Sequence, residues 1–89
     1  MARVAVAVRV FPTGVDVDIN DLRERIRSSL PPQYSLVGSG EVPIAFGYKA
    51  LRVIITMPEE TEGGTEELES VIKSVEGVEE VEVEVVHRI

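Results

Sequence analysis

Valines alternate with small or charged residues along the first part of the chain, from Arg3 to Val10. Every second residue there is a valine, and the residues between are alanine or arginine. A period of two with β-branched side chains is typical of a strand that buries one face. We therefore expect a strand whose valines face the core, followed by a loop over residues 11–14.

Apolar residues return at helical spacing after Asp18, whose side chain can accept hydrogen bonds from the free N–H groups of a helix start. Asp21 lies three residues on, in the arrangement of a capping box. Pro31 and Pro32 end the helix. These signals predict an amphipathic helix whose apolar stripe is Ile19, Leu22, Ile26 and Leu30.

A second helix is predicted between Thr65 and Gly77. Thr65 is a suitable N-cap, and the glutamates after it suit the positive end of a helix dipole. Gly77 is the expected left-handed stop. The apolar positions follow the spacing i, i+3, i+4, i+7 and are Leu68, Val71, Ile72 and Val75.

Three further strands complete the pattern. Residues 33–42 predict a short edge strand, and residues 43–57 a bend followed by the most apolar strand of the chain. Residues 58–64 are an acidic loop. In the last strand, residues 78–86, a row of glutamates is expected to remain exposed to water and to discourage pairing of this strand with the edge of another sheet. Its two faces carry Val81, Val83 and Val85 against Glu80, Glu82 and Glu84.

The order strand, helix, strand, strand, helix, strand predicts an α+β fold of the ferredoxin-like type. Right-handed crossovers then give a four-stranded antiparallel sheet with two helices on one face. We expect residues 1–89 to form one domain. Only 4% of the residues are aromatic, so the core must consist of Val, Ile, Leu and Ala. The chain has no cysteine, so neither a disulfide nor thiol chemistry is available.

The net charge of −7 is unevenly distributed. Residues 1–58 hold seven Lys/Arg against five Asp/Glu, whereas residues 59–89 hold two against eleven. Binding to nucleic-acid phosphates needs a basic surface, so the charge favours a basic protein partner or serves only solubility. The apolar N-terminal segment is too short and too charged to span a membrane. We expect a cytoplasmic monomer that binds neither membrane nor nucleic acid directly.

No set of residues suits catalysis. The single histidine, His87, has no second histidine to share a metal, and the serines have no recognisable nucleophile context. The sequence G-G-T at residues 63–65 lacks the lysine and the spacing of a phosphate-binding loop. Glu59, Glu60 and Glu62 could hold a divalent cation loosely, but a solvated loop is the simpler interpretation. We expect no cofactor, no metal and no enzyme activity.

Residues 41–51, E-V-P-I-A-F-G-Y-K-A-L, contain two of the four aromatic rings. Pro43 fixes φ and removes a backbone donor, and Gly47 permits backbone angles that a side chain would resist. The pattern predicts a constrained bend that presents Phe46 at the mouth of the following buried strand. The alternative is that Phe46 packs on the small core, as aromatic rings in small domains usually do.

The segment Pro43-Ile44-Ala45-Phe46-Gly47, followed by Lys49-Ala50-Leu51, resembles the P-I-A-F-G-x-x-x-L motif of elongation factor 1-beta. That family is the guanine nucleotide exchange factor of elongation factor 1-alpha. The resemblance covers the whole chain in length and element order and is closest to the short archaeal form. It implies that the chain promotes GDP/GTP exchange on elongation factor 1-alpha, without covalent chemistry, and so regenerates the form that carries aminoacyl-tRNA.

The resemblance also implies which residues contact that partner. Phe46 is the aromatic contact of the motif, and Arg88-Ile89 matches a basic residue before a final aliphatic one that reaches toward the magnesium and phosphate region. Eukaryotic members have Lys where this chain has Arg88, whose guanidinium keeps the charge but is larger and planar. Without the resemblance, Arg88 is simply a frayed terminal residue. The other implied contacts are Pro43, Ile44, Ala45, Gly47 and Lys49.

From the residues alone, three other functions fit a small ferredoxin-like domain. An RNA-binding module needs aromatic residues on the central strands and a basic face, which this chain lacks. An acylphosphatase needs a phosphate-binding arginine loop after the first strand, where this chain has F-P-T-G. A ligand-binding or regulatory domain that dimerises through its sheet fits the valine-rich strands and the glycine-rich turns, and it stays open as the alternative.

Overall fold

The computed structural model describes residues 3–59 and 64–89. The elements are β1 (Arg3–Pro12), α1 (Ile19–Ser29), β2 (Ser35–Ala45), β3 (Tyr48–Pro58), α2 (Glu66–Lys73) and β4 (Val78–Arg88). The strands form one antiparallel sheet in the order β2-β3-β1-β4. This is the ferredoxin-like arrangement that the sequence predicts, with strands that are longer at their ends than expected.

Both helices pack on the same face of the sheet. The stripes of α1 and α2 bury Leu22, Ile26, Leu68 and Ile72 completely. These side chains form one cluster with the inward face of the two central strands. That inward face consists of Val6, Val8, Val10, Leu51, Val53, Ile55 and Met57. The alternation along β1 is therefore confirmed, and so are the central residues of both stripes, whereas Ile19 and Leu30 are only partly buried and Val71 lies outside the core cluster.

The cap of α1 is confirmed, but only in one direction. Oδ1 of Asp18 accepts hydrogen bonds from the backbone N–H groups of Asn20 at 2.9 Å and Asp21 at 3.2 Å. The Asp21 carboxylate pairs with Nη2 of Arg25 at 2.7 Å, one turn along the helix. The predicted capping box is therefore wrong, because the opposite charge four residues on attracts that carboxylate.

The predicted side-chain cap of α2 is wrong. The Thr65 hydroxyl makes no capping hydrogen bond and lies 3.1 Å from Oε2 of Glu69 instead. Three glutamates in the first turn still suit the positive end of the helix dipole. Val75 lies beyond the end of α2 and is buried all the same.

The inward face of β4 departs from the predicted alternation at Val85. Ala7 lies opposite Val85, but its neighbour Val8 lies opposite Val83, so the register shifts by one residue. The extra residue, Glu84, forms a β-bulge, which breaks the period of two. Val85 is 51% exposed and does not continue the buried face, so the expectation for this residue is wrong.

The bulge places the Glu84 carboxylate among positive charges on the open face of the sheet. One oxygen lies 2.6 Å from Nη2 of Arg9, and the other lies 3.1 Å from Nε of Arg52, out of line for a good hydrogen bond. The Glu84 side chain is only 17% exposed. It therefore joins β4 to the two central strands, and only part of the predicted glutamate row is left to water.

Gly77 has the left-handed backbone that the sequence predicts, with a φ of 97°, but it is not the helix stop, because α2 ends at Lys73 with Ser74 as its C-cap. A Cβ atom there would lie 3.2 Å from Nη1 of Arg25 and 3.4 Å from Cδ1 of Leu22. We expect Gly77→Ala to lower the free energy of unfolding by about 1–2 kcal/mol, measured by urea denaturation. Gly40→Ala is the control, because no atom lies within 4 Å of its Cβ position. Equal midpoints for the two variants would contradict this account.

None of the helices in the described residues has both the length and the apolar character needed to cross a membrane.

Candidate partner-binding site

A two-residue turn, Phe46 and Gly47, joins β2 to β3. Ala45 and Tyr48 form the last pair of the ladder on either side of it. Both turn residues have positive φ, 49° for Phe46 and 82° for Gly47, which is the sign pattern of a type I′ hairpin. The predicted bend is thus a tight hairpin. Its handedness suits the twist of the two strands.

Phe46 projects into solvent with a relative exposure of 103%, so the alternative that it packs on the core is wrong. It is also the one residue other than glycine with positive φ in the described ranges 3–59 and 64–89. A side chain in the left-handed region costs on the order of 1–2 kcal/mol, and this exposed ring recovers none of it by burial. Phe46 therefore does not stabilise the fold, which points to a role in contact with another molecule.

The other residues of the P-I-A-F-G-x-K segment surround the turn on exposed positions. Pro43 lies opposite Lys49 in the ladder, and β2 is an edge strand, which tolerates a missing N–H. Nζ of Lys49 pairs with Oε1 of Glu41 across the hairpin at 3.1 Å. The structure therefore brings one part of the expected site together: Pro43, Ile44, Ala45, Phe46, Gly47 and Lys49.

Tyr48 fastens this hairpin to the rest of the sheet. Its hydroxyl donates a hydrogen bond of 2.6 Å to the backbone carbonyl of Pro12, the last residue of β1. Burial raises the pKa of the Tyr48 phenol, and the nearby carboxylate of Glu79 raises it further. The hydroxyl therefore keeps its proton, and can donate, at neutral pH. The sequence does not predict this contact, because it depends on where β1 ends relative to the hairpin.

Arg88 and Ile89 form the second part of the expected site. Arg88 is the last residue of β4, and the N–H of Ile89 donates to the carbonyl of Arg3 at 3.0 Å. The alternative of a frayed terminus is therefore wrong. The Arg88 guanidinium pairs with the carboxylate of Glu59, yet 75% of its side chain is exposed. This cation is accessible, and a weak ion pair holds it in place.

The structure does not bring these two parts together. Arg88 lies opposite Val4 of β1, which in turn lies opposite Met57 near the end of β3, whereas Phe46 lies just before the start of β3. The 11 residues of β3 span roughly 35 Å at about 3.4 Å per residue. The molecule is 42 Å long and about half as wide, so the two groups occupy its opposite ends.

The remaining candidates are the three glutamates of the acidic loop and His87. Glu59 pairs with Arg88, and Glu60 and Glu62 lie outside the described residues. Among the residues that the structure describes, no three His, Cys, Asp or Glu side chains are grouped to hold a metal ion. His87 is exposed on the edge strand β4.

The similarity to known proteins extends over nearly the whole chain, including the hairpin and the C-terminal strand. A family model described as the EF-1 guanine nucleotide exchange domain matches residues 5–89. The chain is 58% identical to "Elongation factor 1-beta" of Aeropyrum pernix, over 99% of this chain and 98% of that protein. It is 55% identical to the protein of the same name in Staphylothermus marinus, over 100% and 99%. The counterpart in Hyperthermus butylicus is 51% identical, over 100% and 97%.

Proposed function

The chain belongs to the family of EF-1 guanine nucleotide exchange domains, and we propose that elongation factor 1-alpha is the GTPase on which it acts. Its role is guanine nucleotide exchange in translation elongation. The exposure of Phe46 is the observation that best supports the proposed contact with the partner. It is a fully exposed ring in a strained backbone conformation, at the centre of the P-I-A-F-G segment.

In this proposal residues 1–89 act as one exchange domain, as a monomer in the cytoplasm, and they contact the GTPase without nucleic acid or membrane. The acidic second half of the chain supports a protein partner with a basic surface. The process needs no covalent step. Exchange itself follows from binding alone.

Phe46 is the proposed anchor at one end of the molecule. Aromatic side chains that enter a pocket of the partner commonly dominate the binding free energy of an interface. Ile44 is also exposed and lies two residues before the ring. The turn holds Phe46 clear of the sheet, so the ring can enter an apolar pocket without rearrangement of this protein's core.

Arg88 is the proposed second contact, at the other end. Its guanidinium suits the phosphates of a bound nucleotide, and a cation there disfavours a bound magnesium ion. Arg88 must first leave Glu59, but an exposed ion pair contributes only about 0–1 kcal/mol. A charge-assisted contact with the partner is worth about 1.5–3 kcal/mol, which offsets that loss. The partner therefore contributes two surfaces about 35 Å apart, the length of β3.

Exchange follows from these contacts by linkage. If the protein binds the nucleotide-free partner more tightly than the GDP-bound partner, it must weaken GDP binding by the same factor. GDP then leaves, GTP enters, and the protein dissociates unchanged. One molecule can act on many partners in succession.

Release of fluorescent GDP from an archaeal elongation factor 1-alpha tests the proposal. We expect this protein, at one tenth of the partner concentration, to complete the release and to raise its rate at least about tenfold, since roughly 1.4 kcal/mol in the barrier is tenfold in rate. A parallel reaction without the protein gives the intrinsic rate. An unchanged rate from a cognate partner at saturating protein would refute the function, and the ligand-binding regulatory domain would become the leading alternative.

A further inference from the structure

The hairpin that carries Phe46 overhangs the sheet. The ladder between β1 and β3 ends at the pair Val10 and Leu51. Beyond Leu51, the described pairs of β3 are with β2 only, and the last of them is Ala45 with Tyr48. Past Ala50, which is still completely buried, the overhang is a two-stranded ribbon. Such a ribbon is only marginally stable by itself and can twist and swing.

A side-chain hydrogen bond ties the tip of this overhang to the sheet. The Tyr48 hydroxyl reaches across to the carbonyl of Pro12, beyond the end of the β1–β3 ladder. The ion pair between Lys49 and Glu41 joins the two strands of the overhang to each other but not to β1. Among the side chains of residues 45–49, only that of Tyr48 forms a hydrogen bond to a described residue outside the hairpin.

We propose that Tyr48 is a positioning residue for Phe46, which it holds at a fixed orientation to the sheet for contact with the partner. The inference rests on the proposed function, in which Phe46 is the anchor. A rigid anchor loses less conformational freedom on binding than a swinging one, so its fixed orientation raises affinity without adding a contact. This matters more here because the other proposed contact, Arg88, lies at the far end of the molecule, and both must fit one partner.

Tyr48→Phe isolates this effect. The substitution removes the hydroxyl and keeps the ring, the turn and Phe46. The overhang then samples more orientations, and the apparent dissociation constant rises as the competent fraction falls. In the GDP-release assay we expect the half-maximal concentration of this protein to rise about threefold to tenfold, the range of one lost hydrogen bond. The maximal rate stays unchanged, because the oriented hairpin still binds at saturation.

The chain offers a matched control in its other tyrosine. The Tyr34 hydroxyl lies 3.1 Å from Oε1 of Glu67 on α2, away from the overhang. Tyr34→Phe thus removes a comparable hydrogen bond from a more buried side chain. We expect it to leave the half-maximal concentration within about twofold of the wild-type value, since the hydrogen bond that is lost leads to α2 and touches neither proposed contact with the partner. In a Phe46→Ala background, Tyr48→Phe should have no further effect on release.

Backbone ¹⁵N relaxation is a second measurement, and its result does not depend on the overall stability of the fold. We expect lower order parameters for residues 45–48 in Tyr48→Phe and unchanged values in Tyr34→Phe. Wild-type release by a Tyr48→Phe protein would overturn the positioning role while the exchange function stands. An equal rise in the half-maximal concentration for Tyr34→Phe would also overturn the positioning role. The rise would then be explained by a loss of overall stability in both variants. If the wild-type protein does not accelerate release, the exchange function itself fails.

Discussion

Replacement of Phe46 with Asn is expected to stabilise the fold and to remove most of the exchange activity. Asn followed by Gly is the preferred pair for a hairpin turn in which both residues have positive φ. The substitution relieves strain and gives up no burial, so the free energy of unfolding should rise by about 0.5–1.5 kcal/mol. The melting temperature should rise by roughly 2–10 °C for a domain of this size.

The same change removes the proposed anchor. Loss of a central aromatic contact typically costs about 2–4 kcal/mol, or roughly 30-fold to 1,000-fold in the half-maximal concentration for GDP release. Thermal unfolding and the release assay on one preparation measure both effects. Phe46→Tyr is the control, because it keeps an aromatic ring and should stay within about tenfold of wild type. A less stable Phe46→Asn protein would mean that the ring supports the fold, and full activity would mean that it is no anchor.

Arg88→Ala is expected to lower the maximal rate of GDP release about tenfold to 100-fold. A charge-assisted contact is worth about 1.5–3 kcal/mol, and this one is proposed to act on the magnesium and phosphate region. The effect should fall on the maximal rate and less on the half-maximal concentration, because Phe46 still anchors the complex. The fold should be unaffected, since 75% of the Arg88 side chain is exposed.

Two variants separate the charge of Arg88 from its geometry. Arg88→Lys keeps the charge and should retain most of the maximal rate. Glu59→Gln removes the carboxylate that holds Arg88 in the free protein. It should leave the maximal rate unchanged or raise it by at most about fivefold, because an exposed ion pair contributes no more than about 1 kcal/mol. If Arg88→Ala reaches the wild-type rate at saturation, the C-terminal half of the mechanism is wrong.

The predictions that succeed from sequence are those in which each residue's environment follows from its neighbours along the chain. Most valines of β1 and the central residues of the α1 and α2 stripes are buried because the period of an element decides which face each side chain takes. The left-handed backbone of Gly77 is predicted because glycine favours it locally, although α2 itself ends earlier, at Lys73. The fold follows from the order of these elements and the handedness of their connections.

The predictions that fail depend on register and on contacts distant in sequence. Val85 lies off the core because a bulge opposite Ala7 and Val8 shifts the ladder by one residue. The partners of Tyr48 and Arg88 are 36 and 29 residues away in the chain, and no local pattern relates them. The sequence predicts a bend that presents Phe46, the proposed anchor, but it does not give the type of the turn. That type is read only from the backbone angles.

The most direct test of the account is the affinity of this protein for elongation factor 1-alpha, measured by titration calorimetry with the partner nucleotide-free and then saturated with GDP and magnesium. We predict binding about fivefold to 150-fold tighter to the nucleotide-free partner, because allosteric coupling typically amounts to about 1–3 kcal/mol. Equal affinity for the two forms would contradict it, since a ligand that binds two states equally shifts neither.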